Sequence, residues 1–295
     1  MSVEEFVQQL VNALSLGAIY AMFAMGLAVV FSVMGLLNFA YGELVTVAGY
    51  TMMLAARQEA PFWLMALAAV AMAVVVSMVM EFVAFRPLRT ASPVVRLFAS
   101  FAVAVIIQNL IRQVISPRPQ GVPIPEFLQE SLSLGSIRVG ILPLVSAVVG
   151  FASLLALQAL LTRSDAGLAM RAASQNFTVS RLMGVRANRV ISMAFALSGA
   201  LAGTAGVLWV SRRTSVAPTM GFDPVITAFV ATVIGGLGNL AGAVAGGFFL
   251  GFLEIFLEVT LPGTFRPFVD AIALTVVVTI LYFRPQGLLG RLELA

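Results

Sequence analysis

Residues 17–43 read GAIYAMFAMGLAVVFSVMGLLNFAYGE, and this stretch contains the features that decide the fold. Small residues such as Gly17 and Ala21 allow one helix to pack closely against another inside a membrane. Asn38 and Glu43 then interrupt the apolar run in a segment that also contains glycines. Unwound backbone is tolerated at membrane depth only where lipid is excluded, so the interruption predicts a broken helix beside a polar path. The alternative is a turn outside the bilayer, with Glu43 stabilised by the dipole of the next helix.

The composition of the whole chain indicates a bilayer environment. Of its 295 residues, 60% are hydrophobic and only 10% are charged, whereas about a quarter of an ordinary soluble domain is charged. Many apolar runs reach the roughly 20 residues that a helix needs to cross about 30 Å of hydrocarbon. The predicted fold class is therefore all-α, a polytopic helix bundle that forms one membrane domain over 1–295. Eight or nine spans are expected, at 7–33, 39–56, 62–84, 94–112, 140–161, 190–210, 224–237, 240–259 and 267–283.

Three chemically useful residue types are missing from the chain. It has no Cys and no His, and all 17 of its basic residues are Arg. Without Lys there is no P-loop lysine and no Schiff base, and without His and Cys there is no Ser-His-Asp triad, thiolate nucleophile or ordinary zinc site. We therefore expect no catalytic residue, no metal and no cofactor in this chain. It is expected to be a transport subunit, with any ATP hydrolysis carried out by separate partner subunits.

The arginines predict the orientation, because cytoplasmic loops of membrane proteins carry an excess of positive charge. Under the span list above, ten arginines fall on one side and seven on the other. The richer side holds the loop 163–189 and the C-terminus, so both are expected in the cytoplasm and the N-terminus outside. The loop 113–139 is then external, and four prolines between Pro117 and Pro125 exclude a helix there.

A near-repeat points to a second interruption. Residues 236–241 read GLGNLA, which echoes GLLNFA at 35–40. Matching glycine-interrupted segments in the two halves of a transporter often mark the substrate path. Gln108 and Asn109 are polar neighbours in an otherwise apolar span, and their side chains point about 100° apart, so at most one faces that path. The predicted path residues are Asn38, Tyr41, Gly42, Glu43, Gln108, Asn109, Gly236 and Asn239.

The segment 165–189, DAGLAMRAASQNFTVSRLMGVRANR, is too polar for the bilayer but rich in helix-forming residues. It predicts a helix over about 166–183 that ends at Gly184, a residue type that commonly terminates helices. Such a helix could dock in a groove on another protein, or it could be a surface helix that only fixes orientation. The predicted docking residues are Arg171, Gln175, Asn176, Arg181, Gly184 and Arg186.

The remaining acidic residues are expected to be structural. Glu81 precedes Arg86 and is expected to pair with it. Glu254 and Glu258 lie one helical turn apart, which is typical of a water-facing helix surface. Asp270 is expected to offset the dipole at the start of the last span.

Three stretches resemble one known family. They are LSLGAIYAMFAMGLAVVFSVMGLLNFAYGE at 14–43, LAMRAASQNFTVSRLMGVRANRVISMAFALSGALAGTAGVL at 168–208 and VIGGLGNLAGAVAGGFFLG at 233–251. All three look like the H-type permease subunits of branched-chain amino acid ABC importers, which reside in the bacterial inner membrane. The resemblance implies four kinds of partner: a second, M-type permease, two cytoplasmic ATPase subunits, a periplasmic substrate-binding protein and a small-molecule substrate.

The same resemblance implies that 163–189 is the segment that couples the permease to an ATPase. Two departures from the family pattern stand out. The acidic residue of the usual coupling motif is missing from 178–184, and Tyr41 stands where many relatives have His. The implied substrate is a branched-chain or related hydrophobic amino acid, with urea, short amides or aromatic acids as alternatives. A self-sufficient secondary transporter is the other hypothesis, but few charged residues lie inside the spans as coupling sites.

Overall fold

The computed structural model describes residues 3–134 and 137–289. Its α-helices are α1 (Val3–Met34), α2 (Tyr41–Ala56), α3 (Phe62–Met80), α4 (Pro93–Val114), α5 (Glu126–Gln129), α6 (Ile141–Arg163), α7 (Asp165–Gln175), α8 (Phe177–Leu182), α9 (Ala187–Arg213), α10 (Phe222–Gly235), α11 (Leu240–Thr260) and α12 (Val269–Phe283). A π-helical turn, Glu81–Phe85, extends α3, and a 3-10 helix, Gly263–Phe268, precedes α12. The strands are β1 (Gln120–Gly121), β2 (Ser131–Leu134), β3 (Ile137–Gly140) and β4 (Ser215–Val216).

The all-α membrane bundle predicted from the sequence is confirmed, and each predicted span coincides with a helix. Within the described residues, seven helices are long and apolar enough to cross a membrane. The other two are short: α2 has 16 residues and α10 has 14. At 1.5 Å per residue they measure about 24 Å and 21 Å, less than the ~30 Å of a hydrocarbon core. Among the described helices, seven are therefore long enough to span the membrane, and α2 and α10 are shorter than the hydrocarbon core.

Helix α1 forms the centre of the bundle, because small residues let its neighbours approach closely. Its apolar stretch is almost entirely buried, and it packs on α6, α9, α10 and α11. Gly247 and Gly251 of α11 lie against the backbone of Ala21 and Gly17. A Cβ at either α11 glycine would overlap α1 backbone atoms. Lipid tails are as apolar as the helix surfaces, so the hydrophobic effect does not bring helices together in a membrane. Close van der Waals packing of this kind does so instead.

The two ends of the bundle are named here by their arginines. At the Arg96 end, the guanidinium of Arg96 donates to the carbonyl of Met34 at 2.9 Å. At the Arg57 end, the side chain of Arg57 donates to Oε1 of Gln120 at 3.2 Å. The described chain starts at the Arg57 end and finishes at the Arg96 end, where the backbone of Leu289 bonds to Gly235.

The loop that was expected to be external lies at the Arg57 end. Its proline-rich part is not helical, as predicted, and β1 pairs there with β4 from the segment after α9. Farther along, β2 and β3 form a short antiparallel hairpin before α6. These two strand pairs are small attachments to the helical bundle.

The segment after α6 differs from its prediction. One helix was expected over 166–183, but the structure has two, α7 and α8, with a break at Asn176. The backbone of Asn176 is extended, and its side chain accepts a hydrogen bond from the amide of Val179 at 3.0 Å. Asparagine competes with helical bonding in this way and caps a new helix instead. Gly184 follows with a φ of 88°, the left-handed conformation expected after a helix end.

Candidate translocation site

The two short helices, α2 and α10, begin at the same place inside the bundle. Gly42 in the first turn of α2 and Gly221 just before α10 are both buried, and their backbones touch. A Cβ on either glycine would overlap the carbonyl group of the other. From this contact α2 runs toward the Arg57 end and α10 runs toward the Arg96 end. The N-termini of both helices, with their partial positive charge, therefore meet in the interior.

The chain reaches this contact from opposite sides. Residues 35–40 lead into α2 from the Arg96 end, where α1 finishes at Met34. Residues 214–221 turn back from the Arg57 end, with Thr214 at a φ of 53° and Val216 packed on Gly49 of α2. The structure thus has the interruption expected near Asn38. The loop expected between the spans 190–210 and 224–237 is also present, but it reaches inward to Gly42, and the sequence did not reveal that contact. The segment at 236–239 connects α10 to α11.

Glu43 lies in the first turn of α2, and its buried carboxylate is hydrogen-bonded to a side chain of α4. Its side chain is 2% exposed, and Nε2 of Gln108 donates to its Oε1 at 2.7 Å. Its second oxygen, Oε2, and the hydroxyl of the nearby Tyr41 have no hydrogen-bond partner within the described residues. Buried polar atoms normally have partners. Unpaired ones beside two helix N-termini leave this place chemically able to bind a polar group.

The other predicted path residues lie at different depths. Asn38 is buried and its Oδ1 accepts from the amide of Ala40 at 3.1 Å, which stabilises the turn into α2. Asn109 is exposed and donates to the carbonyl of Val105 in its own helix, whereas Gln108 reaches Glu43. Asn239 is partly exposed at the Arg96 end. It caps α11 through the amide of Gly242, and its Nδ2 donates to the carbonyl of Leu289 at 2.7 Å.

The near-repeat of the sequence corresponds to two similar turns. Gly35 has a φ of 59° after α1, and Gly236 has a φ of 103° after α10. In each turn an Asn three residues later bonds to backbone at the start of the following helix. Both turns lie at the Arg96 end, since Gly238 is near Phe31 close to the end of α1.

The predicted docking residues surround an exposed apolar surface on α7 and α8. Leu182 is 82% exposed and Met183 is 80% exposed, although both are large apolar side chains. Around them, the docking residues with exposed side chains are Gln175, Asn176, Arg181 and Arg186. Arg171 is half-buried, and its Nη1 has no hydrogen-bond partner within the described residues.

Two acidic sites differ from their sequence interpretation. Glu81 pairs with Arg89 and accepts a 3.0 Å hydrogen bond from Ser192 of α9, whereas Arg86 lies over the ring of Phe82. Glu254 faces α1, and Oε2 of its carboxylate accepts a 2.7 Å hydrogen bond from the hydroxyl of Tyr20. The contacts with Ser192 and Tyr20 could not be identified from sequence, because these residues are 111 and 234 positions away from their acidic partners. In the described ranges no three His, Cys, Asp or Glu side chains gather as metal ligands.

Comparison with known proteins decides the family. The family model for the permease component of the branched-chain amino acid transport system matches residues 9–282. The chain belongs to this family. The permease is accordingly a multi-pass membrane component of a larger transport system, and its family is one of transport subunits, not of enzymes.

Curated relatives match the permease along its whole length. It is 31% identical to the high-affinity branched-chain amino acid transport system permease protein BraD of Pseudomonas aeruginosa, over 98% of this chain and 97% of that protein. It is 29% identical to the high-affinity branched-chain amino acid transport system permease protein LivH of Escherichia coli K12, over 98% of this chain and 96% of that protein.

Proposed function

We propose that this chain is the membrane-spanning permease of an ATP-driven importer for branched-chain or related hydrophobic amino acids. The observation that carries the proposal is the match to relatives of that stated function over 98% of the chain. The chain has no lysine for a nucleotide-binding P-loop, so ATP is hydrolysed by partner subunits. Its partners are two cytoplasmic ATPase subunits, a second, M-type permease and a periplasmic substrate-binding protein that delivers the amino acid.

The Arg96 end faces the cytoplasm in this proposal. It holds the loop with Arg86, Arg89 and Arg96, together with the segment 163–189 and Arg284. Positive charge of this kind is retained on the cytoplasmic side of bacterial membranes. The N-terminus is then outside and the C-terminus inside.

The segment 163–189 couples the permease to an ATPase in this proposal. Its exposed Leu182 and Met183 supply apolar surface that a groove on a partner can bury. The adjacent Arg181 and Arg186 can pair with acidic groups at the rim of such a groove. The break at Asn176 makes two short helices, which present these side chains at the Arg96 end of the bundle.

The contact between Gly42 and Gly221 is the constriction of the path in this proposal. Glycine backbones close the bundle there, while Glu43 and Tyr41 supply unpaired polar atoms beside them. When the ATPases bind ATP and move α7 and α8, separation of α2 from α10 opens the constriction. An amino acid crosses with no net charge, so a path without a fixed cation at its centre suits it.

The test is uptake in reconstituted vesicles. The purified permease with its partner subunits should accumulate labelled L-leucine only when ATP and the binding protein are both supplied. Uptake without the ATPases would contradict the importer and support a secondary transporter. If urea, short amides or aromatic acids were taken up, and L-leucine, L-isoleucine and L-valine were not, the chain would still be an importer permease but its substrate would be different.

A further inference from the structure

A polar cluster joins the end of α3 to the start of α9 at the Arg96 end of the bundle. Glu81 lies in the π-helical turn that extends α3, and its side chain is 4% exposed. Arg89 donates one Nη group to Oε1 of Glu81 and the other to Oδ1 of Asn188, in the first turn of α9. The hydroxyl of Ser192, one turn farther along α9, donates to Oε2 of Glu81 at 3.0 Å. We call these four residues the α3–α9 clamp.

The clamp depends on the shape of the arginine side chain. A planar guanidinium can hold two acceptors on different helices at once, whereas the ammonium group of a lysine is a point charge. Both oxygens of the Glu81 carboxylate have a donor. Buried ion pairs can often be replaced by apolar groups without loss of stability, so stability alone does not require this one. Its consequence is positional, because it fixes the first two turns of α9 relative to α3.

The start of α9 needs such support. The helix follows Arg186, whose side chain does not cap it, and the first turn of a helix frays easily when its amides lack a cap. Only four residues separate α8 from α9, and among them Gly184 has a φ of 88°. A push on α8 would be absorbed by unwinding of the first turn of α9 unless that turn is held to a rigid neighbour.

Beyond the clamp, α3 and α9 pack too closely to slide past each other. The hydroxyl of Ser77 in α3 donates to the carbonyl of Phe195 in α9 at 2.6 Å. A Cβ at Gly199 of α9 would come within 2.8 Å of the carbonyl oxygen of Ala73. Small residues that allow such an approach hold membrane helices together by van der Waals contact. Helix α3 is therefore the rigid neighbour to which the clamp attaches α9.

The other end of α9 reaches both sides of the constriction. The helix ends at Arg213, and the chain continues directly into 214–221, whose Gly221 touches Gly42. Farther back along α9, a Cβ at Gly206 would lie 3.4 Å from the Cα of Val45 in α2. A displacement of the whole of α9 would therefore be felt at the constriction, and the clamp lies at the end of the helix where that displacement enters.

We infer that Arg89 and Glu81 are positioning residues, which hold the start of α9 on α3 so that a displacement of α7 and α8 moves α9 as a rigid body and reaches the constriction. The inference rests on the proposed function. The clamp belongs neither to the exposed α8 surface nor to the contact between Gly42 and Gly221. Its loss should therefore leave ATP hydrolysis intact and separate it from transport.

The first arm of the test uses the complete transporter in vesicles. The double substitution Asn188→Ala and Ser192→Ala removes both hydrogen bonds from α9 to the clamp but leaves Glu81 paired with Arg89, so no buried charge loses its partner. The variant should keep its co-purifying ATPase and its rate of ATP hydrolysis. The number of L-leucine molecules imported per ATP should fall by about tenfold or more, the effect of losing a hydrogen bond to a charged group.

Two further variants control this arm. Asn188→Asp combined with Ser192→Thr keeps both bonding oxygens and should restore the wild-type ratio. Thr204→Ala is the matched control, because that hydroxyl bonds to the carbonyl of Ala200 within α9, and it should behave as wild type. A wild-type ratio in the double-alanine variant would overturn the inference, and so would an equal fall in hydrolysis and uptake, the result of a general loss of structure. Absence of ATP-driven uptake in the wild type would instead contradict the proposed function.

The second arm needs neither transport nor an ATPase, so it remains informative if the proposed function fails. Hydrogen–deuterium exchange of the purified chain in detergent reports how often the first turns of α9 open. The amides of 190–195 should exchange about tenfold faster in the double-alanine variant, although alanine favours helix more than Asn or Ser does. Thr204→Ala should leave these amides unchanged. Wild-type exchange in the double-alanine variant would show that the clamp does not hold the start of α9 and would overturn the inference.

Discussion

Nε2 of Gln108 and Oε1 of Glu43 are 2.7 Å apart, and this hydrogen bond joins α4 to the first turn of α2. Gln108→Ala removes the donor that α4 gives this buried carboxylate. We expect the free energy of unfolding to fall by about 1–3 kcal/mol, the usual cost of an unsatisfied buried polar group, and ATP-driven uptake to fall with it. Thermal unfolding in detergent and uptake in vesicles measure the two effects.

The matched control for this variant is the next residue along the chain. Asn109 is exposed and donates a hydrogen bond to the carbonyl of Val105 within its own helix. Asn109→Ala should therefore leave both the unfolding midpoint and the uptake rate unchanged. If both substitutions lowered the unfolding midpoint and the uptake rate equally, the hydrogen bond to Glu43 would not be the cause of the effect.

Gly42→Ala should disrupt the bundle, because a methyl group there overlaps the carbonyl of Gly221 and neither backbone can move without its helix. Overpacking of this kind costs about 1–3 kcal/mol, and we expect a lower unfolding midpoint and loss of uptake. Gly263→Ala is the control, since a Cβ at Gly263 meets no atom within 4 Å. A Gly42→Ala protein with normal stability and uptake would contradict the tight contact.

The α8 surface should determine whether an ATPase stays bound. The double substitution Leu182→Ser and Met183→Ser removes two exposed apolar side chains, and Arg181→Glu reverses an adjacent charge. Each buried aliphatic side chain is worth about 1.5–3 kcal/mol, so both variants should insert normally but lose the co-purifying ATPase and substrate-stimulated ATP hydrolysis. Phe265→Ser changes an exposed apolar residue at the opposite end and should retain both. Wild-type hydrolysis in the α8 variants would show that this surface is not the contact.

Cysteine accessibility can follow the path, because the natural chain contains no cysteine. Asn239→Cys is partly exposed at the Arg96 end and should react with charged thiol reagents in every state. Asn38 is 2% exposed in the structure. A cysteine at this position should therefore react only during ATP-driven turnover, when the path opens. Ala24→Cys, fully buried in α1, should stay unreactive throughout. A cysteine at position 38 that never reacts would place Asn38 outside the path.

The fold could be predicted because its signals are local. Each apolar run is long enough to be recognised as a helix from the sequence. Gly35, Gly184 and Gly236 mark turns, and each of these glycines has a positive φ in the structure. The loop before α10 was expected, but its contact with α2 was missed for a physical reason. Residues 214–221 contain one glycine and one proline, and nothing in them shows that Gly221 reaches the backbone of Gly42, nearly 180 residues earlier.

The candidate sites were only partly predictable for the same reason. Glu43 and Gln108 were both singled out, one for its place among glycines and the other for its polarity, but their hydrogen bond required the packing of α2 on α4. Spacing on one helix suggested that Glu254 and Glu258 share a wet surface. The structure separates them, because only Glu254 meets Tyr20 from α1. Periodicity describes one helix at a time, and such pairs depend on which helices become neighbours.

The meeting of two helix N-termini at Gly42 and Gly221 also has a bioenergetic consequence. An importer that opens many times a minute risks leaking protons or sodium, and each charge that leaks dissipates about 2.3 kcal/mol for every 100 mV of membrane potential. In the proposed path, a cation that approaches this contact from the Arg57 side meets the positive N-terminus of α10, as in other pores that exclude ions by half-helix dipoles. A neutral zwitterion is not opposed in this way. In the proposed importer, the two short helices therefore oppose ion leakage while the cell uses ATP to concentrate a nutrient.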